Sequence, residues 1–418
     1  MLKENIFVGK GVLSQLPELV KKAGVRKAFV LADKHTYKAA GEQVCRLLTE
    51  AGIGYSKYII EEDMPEPDEH TVGSVIMHFD TSCDLVIGVG SGVINDVSKI
   101  LSNVSKSLYY IVATAPSMDG YASATSSMSR DGLKISLPSK CADVIFGDTD
   151  ILKTAPDRML LAGLGDMLAK YVSICDWRIA HVITGEYYSE EIAQMVRESL
   201  KKCVDNAYAL LKREDEAVEA VFMGLINTGL AMALAGVSRP ASGVEHYLSH
   251  TWDMRALEFG TGADLHGIQC GVGTLIAVKL FEKLRQTKPD REKALAYVAA
   301  FSYEEWSRTL RKFLGKGAEA MIELEEKEQK YSVEKHKKRL EIILEHWNEI
   351  CRIMDEELPA SEELETLMKS VGAPVTAEEI GQDEALAAVT FQATKDIRDK
   401  YVLSRLVWDL GVIDEVII

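Results

Sequence analysis

The sequence lacks any closely spaced pair of cysteines. Its 418 residues include seven scattered cysteines, and no two of them form a Cys-x-x-Cys motif. An odd number at irregular spacings argues against both a disulfide framework and a thiolate zinc site. We therefore expect reduced thiols that pack mostly in hydrophobic cores, and only Cys270 lies beside a motif that carries chemistry.

Long apolar runs and an excess of positive charge are also missing. The sequence has no run of about 18 apolar residues, so no membrane span is expected. The N-terminus has no apolar signal core. With 48 basic and 64 acidic residues, the formal net charge is -16, which repels nucleic acid and anionic membranes at long range. We expect a cytoplasmic protein that binds neither of them and that forms a homo-oligomer, a dimer or larger.

The first third of the chain alternates β-rich runs with helical patterns. Nearly continuous apolar runs predict buried parallel strands at Ala28–Ala32, Tyr58–Ile60, Leu85–Val89, Tyr109–Ala113 and Asp143–Phe146. Helices are predicted over Gly41–Ala51 and Asp68–Phe79, and a hairpin with an Asp-Gly turn over Met128–Leu137. This order predicts a doubly wound, Rossmann-like α/β domain over residues 1–155.

After residue 156 the patterns are helical. Helices are predicted over Arg158–Val182, Ser189–Lys212, Val218–Ala235, Val244–Glu258 and Gly271–Lys283. The predicted fold class is therefore an α/β domain followed by an all-α domain over residues 156–418. Residues 285–357 are dense in charge, which favours a solvated pair of amphipathic helices over a partner-binding surface.

A glycine-rich motif, GVGSGVINDVSK, spans Gly88–Lys99 after the third predicted strand and opens a helix. Glycines bring backbone N–H groups close to a phosphate, and a helix N-terminus adds partial positive charge. A tight strand-to-helix turn with no ligand is the alternative. The spacing also differs from the G-x-G-x-x-G fingerprint, so a standard Rossmann motif is not indicated.

The next predicted strand is followed by TAPSMDGYAS, over Thr114–Ser123. Open α/β sheets bind ligands at the carboxyl ends of their strands. The hydroxyls and the Asp119 carboxylate are suited to ribose, to a nicotinamide amide or to substrate hydroxyls. A turn stabilised by Ser and Asp side chains is the equal alternative.

Asp166 stands in an otherwise apolar helical pattern, GLGDMLAK. A carboxylate in such surroundings is costly to bury unless it is paired or bound to a metal. The alternative is an Asp at a helix start that complements the helix dipole, with Lys170 as an i,i+4 partner.

Three of the nine histidines, His246, His250 and His266, lie within 21 residues. Their clustering favours a metal site over isolated core histidines. The H-x-x-x-H spacing lacks the glutamate of H-E-x-x-H, which disfavours a metalloprotease. Ser242 and Glu245 are predicted to form a capping box at the start of this helix.

These motifs occur together in one superfamily. GSGVINDVSK, TAPSMDGYAS, GDMLAK, SRPASGVEHYLSH and LHGIQCGVGTL, in that order, resemble iron-containing alcohol dehydrogenases and dehydroquinate synthase-like enzymes. Within that superfamily the chain is most similar to the sn-glycerol-1-phosphate dehydrogenase family, over nearly its whole length. The charged segment at 285–357 is similar to a helical extension of bacterial members, and we carry no function onto it.

The resemblance implies one divalent metal, which is zinc, nickel or iron, held by Asp166, His246 and His266. It also implies an NAD(P)H site in the first domain. The residues expected to contact this cofactor are Asp33, Gly88, Gly90, Ser91, Gly92, Asn95, Asp96, Thr114, Ser117 and Ser123. Asp33 would meet the adenosine ribose, and the glycine motif would hold the pyrophosphate.

The activity implied by the resemblance is reduction of dihydroxyacetone phosphate, a phosphorylated triose, to sn-glycerol 1-phosphate in phospholipid biosynthesis. Asp119 and His250 would be catalytic residues, with Asp119 holding a substrate hydroxyl and His250 or water supplying a proton. The residues expected to contact the substrate are Asp119, Asp166, Arg239, Ser242 and His250. Arg239 would meet the phosphate, or would instead only brace its loop.

Three other functions stay open at this point. The nearest is another polyol dehydrogenase of the superfamily, such as a glycerol dehydrogenase. A dehydroquinate synthase-like sugar-phosphate cyclase is more distant, because the motifs show few of the Lys and Arg residues that such an enzyme needs. A nucleotide-sensing module without catalysis is disfavoured by the intact set of Asp166, His246 and His266.

Overall fold

The computed structural model describes residues 3–130 and 133–417. Packing divides the chain into two compact units, each built from two segments. The first unit is Met1–Met167 with Glu198–Gly236, and the second is Leu168–Arg197 with Val237–Ile418. The predicted division into domains over 1–155 and 156–418 stays a prediction.

A six-stranded parallel sheet forms the centre of the first unit. Its strands are β1 (Ile6–Gly9), β2 (Lys27–Asp33), β3 (Gly54–Ile60), β4 (Leu85–Gly90), β5 (Leu108–Ala113) and β8 (Val144–Asp148). They lie in the order β1-β8-β5-β4-β2-β3, and every pairing is parallel. Each residue of β4 is buried, as its continuous apolar run predicts. The doubly wound α/β fold is thereby confirmed.

Two further strands, β6 (Thr125–Arg130) and β7 (Leu133–Pro138), pair with each other in an antiparallel two-stranded sheet, separate from the six-stranded sheet. This pairing confirms the predicted hairpin. The predicted Asp-Gly turn falls on residues 131–132, which lie outside the described residues.

Strand β1 was not predicted from the sequence. It is a short edge strand whose four residues are all half-buried and show no alternation. β1 pairs with β8. The carboxylate of Asp148, at the end of β8, accepts hydrogen bonds from the backbone N–H groups of Gly11 (3.1 Å) and Leu13 (3.0 Å). With β1 counted, the glycine-rich motif follows the fourth strand of the chain and not the third.

The helices follow in chain order. The first seven, in the first unit, are α1 (Leu16–Lys22), α2 (Lys34–Thr36), α3 (Glu42–Glu50), α4 (Glu69–His78), α5 (Gly92–Ser105), α6 (Thr149–Leu152) and α7 (Asp157–Leu168). The second unit contains α8 (Lys170–Thr184), and residues of both units form α9 (Glu190–Asp205). The first unit is completed by α10 (Ala207–Leu210) and α11 (Asp215–Ala235).

The remaining helices all belong to the second unit. They are α12 (Val244–Phe259), α13 (His266–Arg285), α14 (Arg291–Ala299), α15 (Tyr303–Leu314), α16 (Gly317–Glu328), α17 (Val333–Glu345), α18 (Trp347–Glu357), α19 (Ser361–Ser370), α20 (Ala387–Thr394), α21 (Leu403–Asp409) and α22 (Ile413–Ile417). The prediction of a helical C-terminal part is confirmed.

Two predicted helices are wrong in their continuity. The pattern over Ser189–Lys212 belongs to α9, which ends at Asp205, and to α10, which begins at Ala207. The pattern over Arg158–Val182 belongs to two helices, because α7 ends at Leu168 and α8 begins at Lys170. Ala169 between them keeps near-helical backbone angles (φ -54°, ψ -24°), so the apolar periodicity continues across the break.

The charged segment is also different from its prediction. Residues 285–357 form the five helices α14 to α18 and not a helix pair, all within the described part of the chain. The acidic and basic side chains are largely exposed. Buried apolar side chains on these helices include Leu310, Leu314, Leu340, Ile343 and Ile350. The buried side chains of this segment pack against α8, α12 and α13 of the second unit.

One helix in the described residues, α11, is long and apolar enough to cross a membrane by length and composition alone. Sixty-one per cent of its most apolar window is buried inside the protein. Its residues pack against the 119–122 turn and against α6 and α10 of the first unit, which is the behaviour of a core helix.

Candidate functional site

The topology of the sheet locates one crevice in the first unit. From β2 the chain moves outward to β3 on one side, whereas β4, β5 and β8 extend on the other side. The order therefore reverses between β2 and β4. Such a switch point, at the carboxyl ends of the strands, is where open α/β sheets bind ligands. Asp33 ends β2 and Gly90 ends β4, so both lie at this point.

The glycines of the GVGSG motif have packing roles. A Cβ at Gly88 would lie 2.6 Å from Oγ of Ser98, and a Cβ at Gly90 would lie 2.5 Å from Cβ of Ile94. Both contacts are with α5, so these glycines let α5 approach the end of β4 closely. Gly92 is different, because the nearest atom to its Cβ position is 3.6 Å away, on Met118.

Asp33 has a local structural role at the end of β2. Its Oδ1 atom accepts hydrogen bonds from the backbone N–H groups of His35 (2.8 Å) and Thr36 (2.9 Å). The carboxylate thus caps α2 and is fixed in orientation at the switch point. Contact between Asp33 and a ribose stays a prediction.

The two predicted ligand loops of the first unit meet. Oγ of Ser91 lies 2.5 Å from Oγ of Ser117, and the backbone N–H of Thr114 donates to the carbonyl of Gly90 at 3.1 Å. These hydroxyls therefore form one polar group at the ends of β4 and β5.

Lys99 has a role in this site that was not predicted from the sequence. It is fully buried, and its Nζ donates to the carbonyl of Gly120 (2.5 Å), to Oγ of Ser123 (3.2 Å) and to the carbonyl of Thr125 (3.0 Å). Burial raises the pKa of the nearby Asp96 carboxyl to about 6, although Lys99 opposes this shift. The spacing of Asp96 and Lys99 within one helix turn was the available signal.

Lys99 and Asn95 together position the turn that carries Asp119. The Nδ2 atom of Asn95 donates to the same Gly120 carbonyl at 3.2 Å, and its Oδ1 accepts from the hydroxyl of Tyr109 at 3.0 Å. Asn95 is therefore held from both ends, and its part in binding the cofactor stays a prediction.

Asp119 and Asp166 are brought together in the first unit. The backbone N–H of Asp119 donates to Oδ2 of Asp166 at 2.9 Å, and Asp166 is fully buried. Asp166 is the tenth residue of α7, which begins at Asp157. The alternative of an aspartate at a helix start is therefore wrong.

Helices α7 and α11 pack closely on the loop before Asp119. A Cβ at Gly163 of α7 would lie 1.8 Å from the carbonyl oxygen of Pro116. A Cβ at Gly229 of α11 would lie 3.0 Å from the carbonyl oxygen of Asp119. Both glycines permit contact between backbones, which fixes the loop in place.

In the second unit, His246 lies in the first turn of α12 and is buried. Its Nδ1 lies 2.7 Å from Oε1 of Glu245, and the same oxygen accepts from the backbone N–H of Gly243 at 2.8 Å. The predicted capping box is wrong, because Gly243 and not Ser242 is the N-cap residue. The Glu245 carboxylate instead orients the imidazole of His246.

His266 is the first residue of α13, and it has an anchor of its own. Its Nδ1 lies 2.9 Å from Oγ of Ser249, which donates to Oε1 of Gln269 at 2.7 Å. The ring centroids of His246 and His266 are 5.0 Å apart, and that of His250 is 6.4 Å and 5.7 Å from them. The structure therefore brings the three predicted histidines together.

Two residues join this cluster that sequence reasoning did not place there. Cys270 is fully buried, and its Sγ lies 3.5 Å from Nε2 of His266. Ligand atoms of His246, His266 and Cys270 all lie within 4.8 Å of one another, as do those of His250, Asp253 and His266. Spacings of three and four residues along a helix were the available signals.

The two imidazoles beside Cys270 change the pKa of its thiol. Burial raises the pKa of its thiol, but the imidazoles of His246 and His266 outweigh burial and hold the pKa below its ordinary value.

The guanidinium of Arg239 forms hydrogen bonds that hold its own loop in place. This group is buried, with Nε donating to Oε2 of Glu186 at 2.9 Å and Nη2 donating to Oε1 of the same carboxylate. Nη1 donates to the carbonyl of Tyr401 at 2.7 Å. These contacts favour a structural role, and the predicted contact with a phosphate stays a prediction.

Ser242 is buried beside a second cation. Its carbonyl accepts from Nζ of Lys400 at 3.3 Å, and Lys400 also donates to Oγ of Ser238 at 2.7 Å. Contact between Ser242 and the substrate stays a prediction.

Comparison with known proteins defines the class. A model of the family described as iron-containing alcohol dehydrogenase matches residues 7–156. The structure is similar to a glycerol dehydrogenase from Schizosaccharomyces pombe, with a TM-score of 0.62, 17% identity and coverage of 99% of this chain and 89% of that one. The structural likeness shows that the chain has the fold of this neighbour, and the family model matches its N-terminal part.

Curated relatives narrow this class. Glycerol-1-phosphate dehydrogenase [NAD(P)+] from Geobacillus thermodenitrificans is 34% identical over 284 residues, 67% of this chain and 70% of the relative. The protein of the same name from Halalkalibacterium halodurans is 28% identical over 403 residues, 96% of this chain and 91% of the relative. The chain belongs to the glycerol-1-phosphate dehydrogenase family.

Proposed function

We propose that the protein is a metal-dependent oxidoreductase that reduces dihydroxyacetone phosphate to sn-glycerol 1-phosphate with NAD(P)H. The observation that carries this proposal is the anchored histidine pair, His246 and His266, in a chain of this family. Each imidazole has a dedicated hydrogen-bond partner at Nδ1, which is typical of metal-binding histidines.

The nucleotide would bind at the switch point of the first unit. The N-terminus of α5 would offer backbone N–H groups to the pyrophosphate, and a Cβ at Gly92 would meet only ordinary van der Waals contact with Met118. Asp33 would accept hydrogen bonds from the adenosine ribose. The polar group of Thr114, Ser91 and Ser117 would line the nicotinamide end, and Asn95, Asp96 and Ser123 would also contact the cofactor.

The metal would be held by Asp166, His246 and His266, a set of oxygen and nitrogen donors suited to zinc, nickel or iron. When bound, the metal supplies Lewis acidity that polarises a carbonyl group. The donors present fit such an ion, because Asp166 is a buried carboxylate and both imidazoles are pre-oriented.

The remaining chemistry belongs to side chains of this protein. Asp119 would accept a hydrogen bond from a substrate hydroxyl and fix which face of the ketone meets the nicotinamide. His250, half-buried beside His266, would deliver a proton to the ketone oxygen, directly or through water. Ser242 would contact the substrate, and Arg239, whose guanidinium donates to Glu186 and to the carbonyl of Tyr401, would brace the adjoining loop instead of meeting the phosphate.

A glycerol or other polyol dehydrogenase is the second candidate. One observation favours it: the predicted phosphate-binding cation, Arg239, already donates to Glu186 and Tyr401. A site without a cation for the phosphate would accept unphosphorylated substrates.

Steady-state oxidation of NADH with dihydroxyacetone phosphate and with dihydroxyacetone separates the two candidates. One lost charge-assisted contact costs about 1.5–3 kcal/mol. We expect kcat/KM for the phosphorylated substrate to exceed that for dihydroxyacetone by at least about 100-fold. Equal values, or preference for the unphosphorylated ketone, would favour the polyol dehydrogenase.

A further inference from the structure

We propose that Cys270 is a ligand of the divalent metal, so that the second unit alone supplies two imidazole nitrogens and one thiolate sulfur. This inference rests on the metal site of the proposed function. It adds a fourth protein ligand to the aspartate and two histidines that the family resemblance implies, and a substrate oxygen would then enter as a fifth ligand.

The anchors of the two imidazoles define which ring nitrogen faces the ion. Glu245 engages Nδ1 of His246, and Ser249 engages Nδ1 of His266. In each ring Nε2 is the nitrogen that points away from its anchor. Ser249 is itself fixed by Gln269, so the orientation of His266 is set by two successive hydrogen bonds.

The sulfur lies near both ring nitrogens of His266 and is slightly closer to Nε2. Sγ of Cys270 is 3.5 Å from Nε2 and 3.9 Å from Nδ1 of that ring. A tetrahedral zinc about 2.1 Å from nitrogen and about 2.3 Å from sulfur places the two ligand atoms about 3.6 Å apart. The observed Sγ–Nε2 separation of 3.5 Å is close to this value.

Helix packing accounts for only part of this arrangement. His266 and Cys270 are four residues apart on α13, so their side chains adjoin in any regular helix. Packing along α13 gives no reason for His246, which stands on α12, to converge on the same sulfur. A ring nitrogen of His246 nevertheless lies within 4.8 Å of the Cys270 sulfur.

A comparison with other cysteines sharpens the assignment. Cys175 is equally buried in the second unit, and Cys351 is half-buried there. Among the described residues, Cys270 is the one cysteine whose sulfur joins a group of candidate ligand atoms. A thiolate makes the donor set softer, which favours zinc over iron and nickel.

The test uses the full-length protein, stripped of metal and reconstituted with Co²⁺ alone. A thiolate bound to Co²⁺ produces an intense charge-transfer band in the near ultraviolet. We expect this band in the wild-type protein, its loss in Cys270→Ser, and its retention in the matched control Cys351→Ser. Cobalt content is measured on each sample in parallel.

The outcomes are distinct. Cobalt bound at about one per chain without the band would overturn the role of Cys270 and leave the proposed function standing, as would a band that survives in Cys270→Ser. Failure of the wild-type protein to bind any cobalt would overturn both proposals.

A second measurement does not depend on the folding of a variant. X-ray absorption at the zinc edge of the wild-type zinc protein should show one sulfur neighbour at about 2.3 Å among nitrogen and oxygen neighbours. A shell of nitrogen and oxygen alone would contradict the proposal.

Discussion

The glycine-rich motif of the first unit and the histidine cluster of the second differ in what their conspicuous residues do. In the motif, Gly88 and Gly90 are explained by close packing of α5 on β4, without any ligand. In the cluster, His246 and His266 each have a buried polar anchor that packing does not require. The difference teaches that a glycine motif can be accounted for by the fold alone, whereas paired anchors indicate a function.

The largest effect is expected from breaking the cluster. His266→Ala removes an imidazole ligand, so both metal content and turnover should be lost, with kcat falling at least about 1,000-fold because Lewis acidity contributes several kcal/mol. Elemental analysis and NADH oxidation measure the two effects. His346→Ala, a change at a half-exposed histidine outside the cluster, is the control and should retain both. Full activity in His266→Ala would remove this residue from the ligand set.

Weakening an anchor should have a smaller effect. Glu245→Gln keeps the shape of the side chain but removes the charge that orients His246, so metal affinity should fall about 10- to 100-fold. Competition with a chelator measures this affinity, and thermal unfolding shows whether the fold is intact. Unchanged affinity in a folded variant would mean that Glu245 only caps α12.

The two kinds of glycine in the motif should respond differently. Gly90→Val places a side chain against Ile94, so the free energy of unfolding should fall by about 1–3 kcal/mol. Gly92→Ala makes only an ordinary contact with Met118, so stability should change little while KM for NADH rises about tenfold through crowding of the pyrophosphate. Chemical denaturation and steady-state kinetics give the two quantities. If Gly92→Ala leaves KM unchanged, the pyrophosphate does not lie at this loop.

The smallest expected change is in substrate preference on removal of Arg239. Because its guanidinium is engaged by Glu186 and Tyr401, Arg239→Ala should lower the free energy of unfolding by about 3 kcal/mol. The ratio of kcat/KM for dihydroxyacetone phosphate to that for dihydroxyacetone should stay within about threefold of the wild-type ratio. If this ratio collapses while the metal content is unchanged, Arg239 contacts the substrate phosphate and the structural role is contradicted.

The fold was predictable where burial is continuous along the chain. The apolar runs of β4 and β5 predict strands directly, since both faces of those strands are covered. The edge strand β1 was not predicted because its four half-buried residues show no alternation of buried and exposed positions. The break at Ala169 escaped because its backbone stays near-helical.

The site was predictable in its residue types and much less in their partners. Three clustered histidines indicated metal chemistry, and the structure brings them together. The pairing of Arg239 with Glu186 spans 53 residues, and no local pattern in the sequence predicts it. Lys99 looked like an ordinary helix residue until burial and three acceptors showed its role in holding the Gly120 turn.

The stereochemistry of the product tests the proposed function most directly. The purified protein, with zinc and NADH, is given dihydroxyacetone phosphate, and the product is assayed with an enzyme that oxidises only sn-glycerol 3-phosphate and by chiral chromatography. The account predicts a product that this enzyme does not oxidise and that elutes as sn-glycerol 1-phosphate. Formation of sn-glycerol 3-phosphate, of a racemic mixture or of no glycerol phosphate would contradict it.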